Sequence, residues 1–564
     1  MLYLVSALLT ALICGPLYGG HLVYRDAVAV PQFSLSAAAF GVDGSAPRAV
    51  PQDAVLGLAS RIVDGGWLVA LLTTAAVFGA GVGFGRLARR LVPQAGAAGA
   101  VAAAAVGIWN PFVAERLLQG HWSLLIGYAT LGPIVLAVLD LGDRRSWRPA
   151  VLLVGLFAAA GFTPTGSILA LTIAGVTAIA ARPGLRASLA CGAGWVVTAS
   201  PWLVAAAVSD ASQSSSGASA FTLRAEPGLG PLGTAAGLGG IWNADAVPAS
   251  RTTWWAVVAT VVFLAVIFAG SVRLFASAEP TRSGERTRSR DPLLVLAVLA
   301  LVVVVLVIAF ATGPGVAVMD ALLAHVPGAG LLRDSQKYLA LAVPFASLAV
   351  AAAVGALRRW VPGGFAASAI GLLILAPLPD LAWGVGGQIR SVTIPTDYTQ
   401  VADVVGDGGG RSVALWPTAT VRSLSWTGGP SLSPLPRMID APVVVDGALV
   451  VDGESLDAPS GRTADIVAVL DEGGDPARLA RLGVAWVVSE EADPPVLLAA
   501  GADEVVTGDH LRLFHISGAE PAPSPSAVAW AAAISALTLW FVALAAGVIA
   551  AFRHAWPPRR TAAS

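Results

Sequence analysis

Trp109-Asn110-Pro111-Phe112-Val113-Ala114-Glu115-Arg116-Leu117-Leu118-Gln119-Gly120-His121-Trp122 interrupts what would otherwise be one long apolar stretch, with apolar runs at 95–109 before it and 122–140 after it. A polar break framed by tryptophans reads as a short loop at a membrane face, because indole rings favour the interface. Charges at that depth are costly unless a structure or a site uses them. Working outward, further apolar runs lie at 3–18, 66–85, 149–162, 167–181, 187–208, 253–274, 292–312, 338–357, 364–382 and 525–551. Several fall short of the roughly 20 residues that a spanning helix needs, which leaves their ends open by a few residues. With 56% hydrophobic and 12% charged residues and a mean hydropathy of +0.74, the chain is not an ordinary soluble globule. The sequence predicts an α-helical polytopic membrane protein with about 12 transmembrane helices.

Arginine sets the expected orientation, since cytoplasmic loops carry an excess of Arg and Lys. It collects at Arg86, Arg89 and Arg90; at Arg144, Arg145 and Arg148; at Arg182 and Arg186; at Arg273 with Arg282, Arg286, Arg288 and Arg290; at Arg358 and Arg359; and near the end at Arg553, Arg559 and Arg560. Twelve spans with both termini cytoplasmic put each of these clusters inside. Segments 19–65, 110–121, 163–166, 209–252, 313–337 and 383–524 are then extracytoplasmic. The first run lacks a positive leading segment and a small-residue cleavage site, so it reads as a retained anchor rather than a signal peptide. Cys14 and Cys191 both lie in apolar runs and give no disulfide framework, and the net charge of -1 gives no reason to expect a nucleic-acid partner.

Three parts follow from this pattern. Residues 1–382 form a transmembrane domain of eleven helices with a long first outer loop at 19–65. Residues 383–524 form a small extracytoplasmic α/β domain before the last helix: 412–416 and 484–488 read as strands, 475–482 as a short amphipathic helix, and 511–516 alternates as a final strand. Residues 525–564 hold the C-terminal transmembrane helix and a cytoplasmic tail. There is no internal repeat and no matched pair of interrupted segments, the usual sign of a transporter.

The polar residues of the outer segments are the candidates for chemistry. Lys337 is the chain's one lysine, and it ends the dense cluster Arg333-Asp334-Ser335-Gln336-Lys337 at the mouth of the tenth run. Four residues apart, Arg333 and Lys337 would share a helix face and could grip a lipid phosphate while Asp334 points elsewhere; interfacial snorkelling is the rival reading. Arg116 is open between phosphate binding and pairing with Glu115, and Arg48 between a phosphate ligand and an interfacial arginine. His121 and Trp122 mark the interface and are weak candidates for sugar or acceptor contact. Trp426 is another, with Trp416, Arg422 and Arg437 as alternatives for a carbohydrate surface or for domain packing. Asp53 reads first as the cap of a helix beginning near Ala54.

A long loop after the first span with an acidic residue near its start, many spans and a late extracytoplasmic domain together resemble the GT-C fold glycosyltransferases. More narrowly, Asn110-Pro111-Phe112-Val113-Ala114-Glu115-Arg116-Leu117 with Gly120-His121-Trp122, and the Leu332-Arg333 to Lys337 segment, resemble motifs in the membrane domain of actinobacterial arabinofuranosyltransferase-like proteins. The resemblance covers 1–382. It implies transfer of a sugar from a polyprenyl-phosphate donor to a cell-envelope glycan or lipid acceptor, with an acidic residue of the first outer loop deprotonating the acceptor hydroxyl. Asp26 would be that base, with adjacent Arg25 holding its pKa low, and Asp53 is the runner-up. No cofactor is required; a divalent metal is compatible with the class, but no DxD pair supports one. Two other readings stand beside it: a lipid or polysaccharide transporter, and a catalytically silent assembly protein of GT-C architecture.

Overall fold

A computed structural model describes residues 1–45, 49–143, 147–209, 217–276, 285–451 and 454–555. All twelve apolar runs form helices, but not twelve equal spans. Among the described residues nine helices are long and apolar enough to cross a membrane, and ten if a bent pair counts as one span. The other two runs form the shorter apolar helices Leu2–Leu17 and Arg148–Ala160.

The bent pair, Gly363–Leu375 with Pro379–Gly387, turns by 83°. Pro377 and Pro379 cannot continue the helical ladder, so carbonyls are freed at the break. Two indoles satisfy them: Trp109 Nε1 donates to Leu375 O and Leu378 O at 3.1 and 2.9 Å, and Trp255 Nε1 donates to Pro377 O at 3.0 Å. In an apolar surround such bonds are what makes a break tolerable.

Small residues let helices approach closely in this bundle. The last helix, Ala527–Ala555, docks on Arg148–Ala160 where Gly155 meets Gly547; a Cβ on either would lie 2.3 Å from the other's Cα. The arginine-bearing helix ends gather together, with Arg90 paired to Asp143 at 2.8 Å, Arg182 to Asp291 at 3.6 Å, and Arg358 Nη1 donating to Ala95 O at 2.9 Å. Leu2 packs at this end too, against Gly85 of the helix Gly65–Leu91. The opposite end, where that helix starts at Gly65, carries the long loops.

One loop is anchored by buried charge. Glu115, on the helix Pro111–Leu118, accepts from Gly240 N and Ile241 N at 2.9 and 3.1 Å. Glu226 and Arg251 form a fully buried bidentate pair beside it. Breaking such a pair from one side leaves an uncompensated charge at a cost of roughly 3–5 kcal/mol. Arg251→Met should therefore lower the thermal midpoint of detergent-solubilised protein sharply, while Glu226→Gln with Arg251→Met should recover part of the loss.

The sheet region has five strands in the order Asp503–Thr507, Leu511–His515, Val484–Glu490, Ser412–Trp416, Val443–Val444. The last three run parallel and the first two pair antiparallel. Strand alternation sends Val413, Leu415, Val488 and Leu513 toward Tyr398 and Val401 of the helix Thr396–Val405. It sends Ala414, Val487 and Phe514 toward Ile466, Leu470 and Leu479 on the other face.

Candidate functional site

The first loop enters the site as a small hairpin. Strands Val23–Tyr24 and Ala27–Val28 pair antiparallel, which leaves Arg25 and Asp26 at the tip. The turn rests on Gly120: a Cβ there would lie 2.3 Å from Ala27 N, and its φ of +84 suits glycine. Gly120→Ala should push the hairpin away and lower any activity that depends on Asp26 while the helices stay folded, as circular dichroism beside an activity assay would check.

The helix Pro111–Leu118 is capped by Asn110, whose side chain accepts from Val113 N at 3.0 Å, with Pro111 at the first helical position. That start aims the helix end at the hairpin. Asp26 N donates to Gln119 O at 3.3 Å, and Asp26 Oδ2 accepts from Gln119 Nε2 at 3.1 Å. His121 Nε2 meets the same oxygen at 3.0 Å, while His121 Nδ1 lies 3.4 Å from Arg116 Nη1. A guanidinium only donates, so Nδ1 is the accepting nitrogen and Nε2–H donates to Asp26. Both imidazole nitrogens are then engaged by a neutral ring. Among the described residues no group bonds to Asp26 Oδ1, and the side chain is 42% exposed.

Arg116 continues the chain of contacts. It reaches Asp334 Oδ2 at 3.2 Å, and Lys337 Nζ lies 3.3 Å from the same oxygen. Arg116 is fully buried and Asp334 nearly so, whereas Lys337 is 24% exposed. Along this chain of contacts Asp26, Lys337 and His121 are part-exposed, and Arg116 and Asp334 are buried behind them.

Charge balance follows from this packing. Burial alone would raise the Asp26 carboxyl, but the His121 bond and charge, the Gln119 amide and the Lys337 charge outweigh it and hold it below the usual carboxylate range. For His121, burial and the nearby Lys337 and Arg116 cations outweigh the pull of Asp26 and lower its pKa, in keeping with a neutral ring. Asp334 is likewise lowered, its burial outweighed by Lys337 and Arg116.

Several expectations are relocated. Arg333 does not share a face with Lys337: the short helix Gly330–Arg333 ends there, Asp334 breaks it with ψ at 73, and a 3-10 helix starts at Ser335. Arg333 instead stacks 3.9 Å over Phe221 and binds Asp457 through both nitrogens, at 2.9 and 2.8 Å. Asp334, expected to point elsewhere, is the hub between Arg116 and Lys337 at i,i+3 spacing. Arg25 does not hold Asp26, because successive residues at a hairpin tip diverge; its guanidinium lies over Tyr24 and donates to Asp245 O at 2.9 Å. Nor do Glu115 and Arg116 pair, since neighbours on a helix point about 100° apart.

Asp53 lies in the first turn of Gln52–Ala59, whose N-cap is Pro51, and its carboxylate binds Arg437 at 3.0 Å. Trp122 is buried edge-on against Phe162, and Trp426 packs on Tyr398, donating to its hydroxyl at 3.3 Å. Trp416 Nε1 donates to Asp493 O at 2.9 Å, and Arg422 is spent on Glu490 and Pro417 O. Arg48 lies outside the described residues. Gln119 and Asn243, which holds Gln119 Oε1 at 2.8 Å, are site residues that the sequence did not single out. Among the described residues no three His, Cys, Asp or Glu side chains converge as metal ligands.

The fold is GT-C-like. Among solved structures it is similar to the arabinofuranosyltransferase AftD from Mycobacteria, with a TM-score of 0.58 and 16% identity over 91% of this chain and 40% of that one. A mutant form of the same enzyme gives a TM-score of 0.52 at 16% identity, over 91% of this chain and 41% of that one. The chain thus spans about 40% of the length of the solved chains it matches, and at this identity the likeness is one of fold. No family model and no curated protein matches the chain.

Proposed function

We propose that the protein is an integral-membrane glycosyltransferase that moves a sugar from a polyprenyl-phosphate donor to an envelope glycan or lipid acceptor on the extracytoplasmic face. The observation that carries this reading is a part-exposed carboxylate, Asp26, with no bond to Oδ1 among the described residues, linked through His121, Arg116 and Asp334 to the part-exposed Lys337. Asp26 Oδ1 takes the proton of the acceptor hydroxyl. The acceptor oxygen forms a bond to the anomeric carbon as the bond from that carbon to the phosphate oxygen breaks, and the electron pair leaves with the polyprenyl phosphate. Lys337 offsets the charge growing on that phosphate. His121 and Gln119 fix Asp26 Oδ2, so that Oδ1 faces the acceptor. Arg116, too buried to meet a ligand, orders Asp334 and His121. Arg333, held by Asp457, is left out of this assignment, as are Asp53, Trp122 and Trp426.

Orientation is supported by the bundle. The arginine-bearing ends among the described residues gather away from Asp26, which by the positive-inside rule supports a reading with Asp26 and residues 383–524 outside and both termini in the cytoplasm. Nucleotide sugars are not expected there, which favours a lipid-phosphate donor. The transporter alternative needs unpaired charge along the spans. Asp140 lies 3.8 Å from Arg90, and Asp380 accepts from Ser250 N and Oγ at 2.7 and 2.6 Å, so these two acids at helix ends are engaged.

The test is a panel of radiolabelled polyprenyl-phosphate sugars in vesicles containing the purified protein. Transfer from one of them to an envelope acceptor is expected. Movement of labelled lipid between leaflets with no transfer would favour a transporter, and neither would leave an assembly role.

A further inference from the structure

The sheet region reaches back to the 23–28 hairpin, chiefly through one side chain. Arg437 Nη1 donates to Val28 O at 3.1 Å and Nε to Asp53 Oδ2 at 3.0 Å, while its own carbonyl accepts from Ser34 N at 2.7 Å. It thus ties together the return strand of the hairpin, the helix Gln52–Ala59 and the chain between them. At the hairpin tip the same region grips the backbone: Arg25 N donates to Pro430 O at 2.7 Å and Leu432 N to Arg25 O at 3.1 Å. Arg25 holds φ at +50 between these two bonds. A non-glycine residue persists in that conformation only where its surroundings over-determine it. Asp26 is the next residue.

We propose that Arg437 is a positioning residue for Asp26, so that a side chain 409 residues beyond Val28 sets the direction of the carboxylate. The side-chain bonds from Gln119 and His121 fix where Oδ2 sits, but they hold a group that projects from a two-stranded ribbon. Such a ribbon is marginal by itself. The planar guanidinium fork meets Val28 O and Asp53 at once, which a lysine ammonium, a single point of charge on a flexible stem, does not reproduce. The inference rests on the reading of Asp26 as the base.

The test compares full-length wild type with Arg437→Lys and Arg437→Gln in vesicles, using the lipid-linked sugar that wild type accepts. Displacing a reacting group by about 1 Å can cost on the order of 100-fold, so kcat should fall 10-fold or more. The donor KM should stay within about twofold, because the Lys337 contacts are untouched. A base works deprotonated, so rate is lost as pH falls through its pKa. An Asp26 pulled from His121 and Gln119 loses the bonds that do most to lower its pKa, so the acid limb should move to higher pH. Amide hydrogen exchange at 23–28 should speed up in both variants while Ser335–Leu357 stays unchanged. Normal exchange at 23–28 would overturn the proposal. So would a loss of active protein with the acid limb unmoved, which is what a role in folding alone would give. Exchange needs no activity: if wild type transfers no sugar from any donor, the functional reading fails, and exchange still decides whether Arg437 holds the hairpin.

Discussion

Asp26→Asn should slow sugar transfer by orders of magnitude while leaving the protein folded and able to bind donor. Asparagine keeps the side chain's shape, and its carbonyl oxygen can still accept from His121 and Gln119 in the place of Oδ2. What it cannot do is take a proton. General-base catalysis is worth about 10²–10⁴ in rate, and the whole of that should appear in kcat, with donor KM nearly unchanged. In wild type the lowered pKa of Asp26 has a further consequence. The rate should not fall with acid until below the usual Asp value of about 3.9, so the profile should be flat on its acid side through pH 5. An acid limb in the ordinary His range would instead make His121 the base. Single-turnover transfer in vesicles, run across pH with both proteins, measures both effects.

The second large effect is expected at Lys337. Its side chain is part-exposed beside Asp334, and Lys337→Met should lower kcat/KM for the donor by roughly 10²-fold, the scale on which removing one preorganised charge or donor from a transition state acts. The fold should survive, because Asp334 keeps Arg116 as its partner at 3.2 Å. Arg333→Ala provides the contrast. Arg333 is bound to Asp457 and stacked on Phe221, so its loss should loosen that contact with little change in donor KM. If both substitutions raised donor KM equally, the division between them would be mistaken. Apparent donor affinities for the two variants, measured side by side, decide this.

Much of the membrane fold was legible because apolar runs report burial in lipid directly. Every run became a helix, including the two that are too short to span by length. The strands at 412–416, 484–488 and 511–516 were legible for the same reason, their alternation or apolar density matching a buried sheet. The edge strand Asp503–Thr507 was not, since it is mostly exposed and carries no alternating pattern. Asp26, Arg116, His121 and Lys337 were singled out in the sequence, but the contacts that join them were not. Reading Arg333 and Lys337 as helix neighbours assumed an unbroken helix, and one backbone angle at Asp334 undid it. Reading Arg25 as the partner of Asp26 took adjacency in sequence for adjacency in space. Gln119 stood in the quoted stretch from the start, yet its bond to Asp26 depends on a hairpin folded from another part of the chain.

The central claim is that the Asp26 recess receives the donor, and a cryo-EM structure with a polyprenyl-phosphate sugar bound to Asp26→Asn protein addresses it most directly. The account predicts the phosphate within hydrogen-bond distance of Lys337 Nζ, about 2.7–3.2 Å, and the anomeric carbon facing the position of Asp26 Oδ1. Donor bound elsewhere, for instance in the apolar crevice between Trp109, Phe263 and Leu373, with the recess empty, would contradict it.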